Sequence, residues 1–161
     1  MRSSDQPMSD QSHTPFPLAT FLVVSAALFM VTLDNLVVTT ALPSIRVDLG
    51  ATIESLEWTV NAYTLAYAVL LLTGAALGDR FGRRRMFVIG VGIFTGASAL
   101  AALAPSTDAL VAARALQGVG AAVVTPLTLT LLSEAVPEGR RGLAIGLWSG
   151  VSGLGVALGP V

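Results

Sequence analysis

Two charged residues stand in stretches that are otherwise apolar: Asp34, in the run 18–42, and Arg114, in the run 109–132. A carboxylate facing a guanidinium can neutralise it, release it, or trade it for a proton or a passing cation. In hydrocarbon neither charge persists alone, because an ionised group at the middle of a spanning helix costs ~2.5 to 3.5 kcal/mol on insertion scales. At 1.5 Å per residue, Asp34 lies ~12 Å below the end of its run at Leu42, and Arg114 ~8 Å below the start of its run at Ala109. Asn61, three residues beyond Trp58, falls at a similar depth in the run 58–77. Three polar groups from three runs thus share one level. Arg114, Gln117, Ala121, Thr125 and Thr128 follow spacings of three and four, which lays a small and polar stripe along one helix face. Thr59, Tyr63 and Tyr67 form a second stripe, aromatic with hydroxyl ends. Asp34 and Arg114 are therefore the candidate proton-coupling pair, and Asn61, Tyr63, Tyr67, Gln117 and Thr125 the candidate lining of a cavity for amphipathic solutes. A plainer reading makes Asp34 and Arg114 a structural pair, or lets them snorkel to the interface, and has the tyrosines simply pack.

The elements that hold these residues follow from composition. Of 161 residues 53% are hydrophobic and only 12% charged, about half the charge of an ordinary soluble domain. No cysteine and one histidine, His13, leave no disulfide framework, thiol nucleophile or metal cluster, so no metal or other cofactor is expected. A membrane-embedded enzyme would lack both nucleophile and general base. Five apolar runs, 18–42, 58–77, 86–104, 109–132 and 143–161, have about the 20 residues that cross ~30 Å of hydrocarbon, the last still running at Val161. Their backbone groups must pair within each segment, which predicts an all-α integral membrane bundle. Residues 1–17, polar and rich in proline, predict a short disordered tail.

All nine cations are arginine. Arg2, Arg80, Arg83, Arg84, Arg85, Arg140 and Arg141 fall on one side of the predicted topology, Arg46 on the other, and Arg114 within a span. That bias places the tail in the cytoplasm, in a multi-pass protein of the cell membrane, with Trp58 at the outer boundary. The basic connection between the second and third runs is too short to be a domain, so those runs form an antiparallel hairpin. Arg83 is positioned to bridge Asp79 and Glu134 if their helices lie close. The same arginines also satisfy the insertion rule or meet anionic lipid without further role. Wedged between spans they have no room to reach a nucleic-acid groove. In the fifth run Gly142, Gly146 and Gly150 recur every four residues, a spacing that permits close helix approach.

Taken together these residues resemble the major facilitator superfamily, in particular the proton-coupled drug antiporters of its fourteen-span branch. The inner-loop pattern Gly-x-Leu-x-Asp-Arg-x-Gly-Arg-Arg is met by Leu77, Asp79, Arg80, Gly82, Arg83 and Arg84; its leading glycine is displaced, with Ala75 in its place and Gly74 beside it. A methyl at that point predicts a slightly loosened helix contact. The fourth-span pattern is met by Arg114, Gln117, Gly118, Gly120, Ala121 and Ala122, the first-span pattern by Leu33, Asp34, Ala41, Leu42 and Pro43, and the antiporter glycine ladder by Gly150, Gly155, Gly159 and Pro160.

The resemblance covers residues 18–161. It implies the N-terminal part of a major facilitator fold in which Arg114 serves proton coupling and Asp79, Arg80, Gly82, Arg83, Arg84 and Glu134 form an inner gate. The implied function is proton-coupled export of amphipathic small molecules, with proton, substrate and bilayer as partners and further C-terminal spans of the same protein required. The rival expectation is a free-standing five-span membrane protein that associates through its glycine faces and transports nothing.

Overall fold

The computed structural model describes residues 17–158, and the predicted tail up to residue 16 and the end of the glycine ladder, Gly159 and Pro160, lie outside it. Five α-helices follow one another: α1 (Leu18–Asp48), α2 (Ile53–Phe81), α3 (Arg83–Ala102), α4 (Thr107–Ala135) and, after a 3-10 turn at Glu138–Arg140, α5 (Arg141–Leu158). No strand occurs among the described residues. Helices α1 to α4 are each long and apolar enough to cross a membrane. The chain is an all-α, multi-pass membrane protein.

Helix ends are set by caps rather than by where apolar residues stop. Helix α2 starts at Ile53, five residues before Trp58, because the Thr52 hydroxyl accepts from the Ser55 amide at 3.2 Å. Ser106 does the same for α4, accepting from the Ala109 amide at 3.3 Å. Gly82, at φ +96°, both ends α2 and begins α3, a backbone turn that L side chains rarely adopt. The first apolar run stops at Leu42, just before Pro43, yet α1 continues through that proline to Asp48. Proline removes one N–H and frees the Thr39 carbonyl, but Thr39 lies on an exposed turn where a lone acceptor is tolerated.

Helix α4 is the hub, packed between α2 and α3, with α1 and α5 on its remaining side. Glycines let backbones meet where packing in lipid needs it. A Cβ on Gly118 would come within 2.5 Å of the Tyr63 carbonyl, and one on Gly74 within 2.4 Å of the Ala122 carbonyl. The second contact corrects the expectation of a loosened helix pair at Ala75, since at this end of α2 it is Gly74 and Gly78 that face α4. Pro126 deprives the Ala122 carbonyl of its usual donor four residues on, and α2 closes over it there. The outward faces carry Leu72 and Val69, 82% and 72% exposed, as lipid-facing surfaces do. On α5, a Cβ on Gly142, Gly146 or Gly150 would meet nothing within 4 Å, so the close approach expected of that ladder is not made with any described helix.

Candidate functional site

Arg114 is the largest fully buried side chain of the chain's described part, and each nitrogen of its guanidinium donates at least one hydrogen bond. Nη1 donates to Asp34 Oδ2 and, at 3.0 Å, to Gln117 Oε1. Nη2 donates to Asn35 Oδ1 at 3.2 Å, and Nε to the Thr59 carbonyl at 3.3 Å. The Tyr63 ring lies 4.4 Å from the guanidinium carbon and offers its π face to the cation. Gln117 completes the frame: its Nε2 donates to Asp34 Oδ1 and to Ser98 Oγ, both at 2.8 Å, while Ser98 donates its own proton to the Phe94 carbonyl at 2.9 Å. Helices α1, α2, α3 and α4 each contribute to this cluster.

The two charges differ in access. The Arg114 side chain is 1% exposed and that of Asp34 16%. Asp34, Ser98 and Gln117 border a cavity of about 440 Å³ between α1, α3 and α4, which also reaches Asp48 and Leu49 near the end of α1. A proton or small cation therefore meets the carboxylate first, and the guanidinium is reached only through rearrangement.

Of the residues singled out from sequence, Asp34, Arg114, Gln117 and Tyr63 come together, and Tyr67 joins them at one remove, stacked on Tyr63 with ring centroids 6.2 Å apart. Asn61 does not: it is exposed and borders a separate cavity with Leu42, Glu57 and Val60. It shares the level but not the face, since two residues from Thr59 means about 200° around the helix. The amide that meets Arg114 is Asn35. Thr125 stays outside the cluster and is half-buried, its carbonyl accepting from the Thr128 hydroxyl at 2.7 Å, which in turn accepts from Trp148 Nε1 of α5 at 3.2 Å. Ser98 and Asn35 were missed. Asn35 was legible as the second polar residue of an apolar run, whereas a serine in a spanning helix ordinarily bonds back to its own helix and gives no signal.

At the arginine-rich end, Arg83 donates through Nη2 and Nε to Asp79 Oδ1, at 2.8 and 3.0 Å, and through Nη1 to Glu134 Oε1. This ties the α2–α3 turn to the end of α4. The three side chains are from one-third to two-thirds exposed, so the link fixes position more than it adds stability. Arg80 lies over the Phe81 ring, 5.4 Å from its centroid, and Arg84 points to an exposed surface without an ion pair among the described residues. Gly150 is exposed on α5, and Gly155 lies on the same helix.

The chain is 42% identical over 163 aligned residues to the tetracenomycin C resistance and export protein of Streptomyces glaucescens, covering 98% of this chain and 30% of that protein. It is 47% identical over 139 residues to the puromycin resistance protein pur8 of Streptomyces alboniger, covering 86% of this chain and 28% of that protein. A multidrug resistance protein, Stp, of Mycobacterium tuberculosis is 41% identical over 144 residues, covering 89% of this chain and 27% of that protein. The chain thus spans about 30% of the length of the curated relatives it matches. The sequence pattern of the Major Facilitator Superfamily matches residues 24–161. With that match extending over nearly all of the helical bundle, the chain belongs to the major facilitator superfamily.

Proposed function

We propose that this chain is the N-terminal part of a proton-driven exporter of small amphipathic, cationic molecules, set in the cell membrane with its N-terminus in the cytoplasm. The observation that carries the reading is the buried ion pair between Arg114 and Asp34, with the acid the only member open to a cavity. Relatives named for export of or resistance to tetracenomycin C and puromycin support export of small molecules, and the buried carboxylate supports a cationic one. The arginine bias supports the orientation.

The chemistry follows from what each state leaves unpaired. With Asp34 ionised, its charge balances Arg114 and the cluster is neutral. A proton arriving at Asp34 removes that balance, but Gln117 Oε1, Asn35 Oδ1, the Thr59 carbonyl and the Tyr63 face still receive the guanidinium. The cluster thereby tolerates either state of the acid. A cationic substrate competes with both the proton and Arg114 for one carboxylate, so occupancy by substrate and by proton exclude each other, and that exclusion is the condition for exchange. Tyr63 and Tyr67 supply aromatic surface beside it.

The test is efflux of ethidium by the intact protein in everted membrane vesicles, with and without a pH gradient. Asp34→Asn is expected to lose gradient-driven efflux by tenfold or more, about 1.4 kcal/mol or more in rate terms. Gradient-dependent efflux at the unaltered rate in that variant would remove Asp34 from the mechanism.

A further inference from the structure

Beyond the buried cluster, the arginine-rich end of the bundle has a groove beside the Arg83–Glu134 link, to which the proposed exchange at Asp34 gives no role. A cavity of about 970 Å³ opens there, bordered by Arg83, Arg84, Arg85, Glu134 and, deeper, by Val88, Ile89 and Leu131. A second cavity, of about 600 Å³, shares Arg84, Val88, Leu131 and Glu134 with it and continues between α1 and α3 along Val23, Val24 and Phe87. The two form one groove, cationic at the end of the bundle and apolar toward its middle.

Its charges do not cancel. Glu134 is engaged by Arg83, which Asp79 also holds, so one guanidinium serves two carboxylates and that group of three keeps one negative charge. Arg84 and Arg85 are exposed and have no carboxylate partner among the described residues. Two guanidinium groups without an ion-pair partner thus outweigh the one negative charge left beside them, and sit above an apolar wall in which Val88 is 62% and Ile89 43% exposed. From this geometry we propose that the groove binds an anionic phospholipid, its phosphate held by Arg84 and Arg85 and one acyl chain lying along Val88, Ile89 and Leu131. The fit is one of charge and depth together. Guanidinium groups match phosphate oxygens in pairs, the wall below is the kind a lipid tail covers, and the arginines stand at the end of a spanning helix, where headgroups lie. Because Arg84 borders the same groove as Glu134, a bound headgroup stands next to the Arg83–Glu134 link and adds negative charge beside it.

The experiment uses the intact protein in dodecylmaltoside, titrated with dioleoylphosphatidylglycerol or dioleoylphosphatidylcholine, with retained lipid counted by native mass spectrometry. Phosphatidylglycerol is expected to be retained at roughly tenfold lower concentration than phosphatidylcholine. The double variant R84Q/R85Q should abolish that preference, R84K/R85K should keep most of it, and R46Q, which alters an exposed arginine far along α1, should leave it intact. Equal retention of the two lipids by the unaltered protein overturns the proposal without any variant having to fold. So does a preference that survives R84Q/R85Q, or displacement of the lipid by millimolar sn-glycerol 1-phosphate alone, which would make this a phosphate site rather than a lipid groove.

Discussion

The guanidinium of Arg114 divides its hydrogen bonds among a carboxylate, two amide oxygens and a backbone carbonyl, and a lysine cannot repeat that division. An ammonium has three donors on a point charge, so Arg114→Lys can keep Asp34 but leaves at least one of Gln117, Asn35 and Thr59 without its donor. We expect Arg114→Lys to insert and fold yet to lose tenfold or more in ethidium efflux, measured in vesicles matched for protein content. Arg114→Ala is harsher, since it strands a mostly buried carboxylate; breaking such a pair costs about 3 to 5 kcal/mol, visible as a fall in the thermal unfolding temperature in detergent. Ser98 marks the mild end of the same series. Its hydroxyl accepts one neutral hydrogen bond from Gln117, so Ser98→Ala should cost about 1 kcal/mol and leave the pH dependence of efflux in place. A large shift of that pH dependence in Ser98→Ala would mean that the α3 side of the cluster takes part in proton handling.

At the scale of the helices, what could be read from sequence was the existence of the apolar runs and their order, because hydrocarbon demands about twenty apolar residues and internally paired backbone wherever a chain crosses. Their ends were less legible. Thr52 and Ser106 lie in polar stretches, and only the backbone geometry reveals that helices already begin there, while Pro43 was a false stop because an exposed carbonyl can be left without its donor. Asn61 was misplaced for a related reason: depth along a helix is arithmetic, whereas facing depends on which side α4 covers. The displaced glycine of the inner-loop pattern taught the same lesson, as Gly74 rather than Ala75 turned out to face α4. This gives a sharp contrast between two glycines. Gly74→Ala forces a methyl toward the Ala122 carbonyl and should cost about 1 to 3 kcal/mol as α2 is pushed off α4. Gly92→Ala meets nothing within 4 Å on α3 and should be neutral, or stabilising by up to about 1 kcal/mol through the usual helix preference for alanine. Thermal unfolding of both variants in the same detergent checks the pair, and equal unfolding temperatures would contradict the close packing of α2 on α4.

In the molecule as a whole, the sidedness of the helices decides from which face the charge pair is reached. Residues 1–161 contain no cysteine, so single cysteines introduced among them, with any cysteine elsewhere in the intact protein replaced by serine, report sidedness. Ser106→Cys, ahead of α4, should react with an impermeant maleimide from outside intact cells, and Gly139→Cys, between α4 and α5, only after the membrane is opened; the reverse pattern would invert the proposed orientation. In the proposed orientation Arg83, Asp79 and Glu134 lie on the cytoplasmic side, where their exposed link holds the α2–α3 turn to the end of α4 rather than adding stability. The most direct test of the central claim, that one carboxylate is shared between proton and substrate, is proton release. When ethidium is added to the purified intact protein in weakly buffered detergent over a range of starting pH, release should reach about one proton per substrate bound, with none in Asp34→Asn. Substrate binding of the same affinity with no proton released, or the same release from Asp34→Asn, would contradict it.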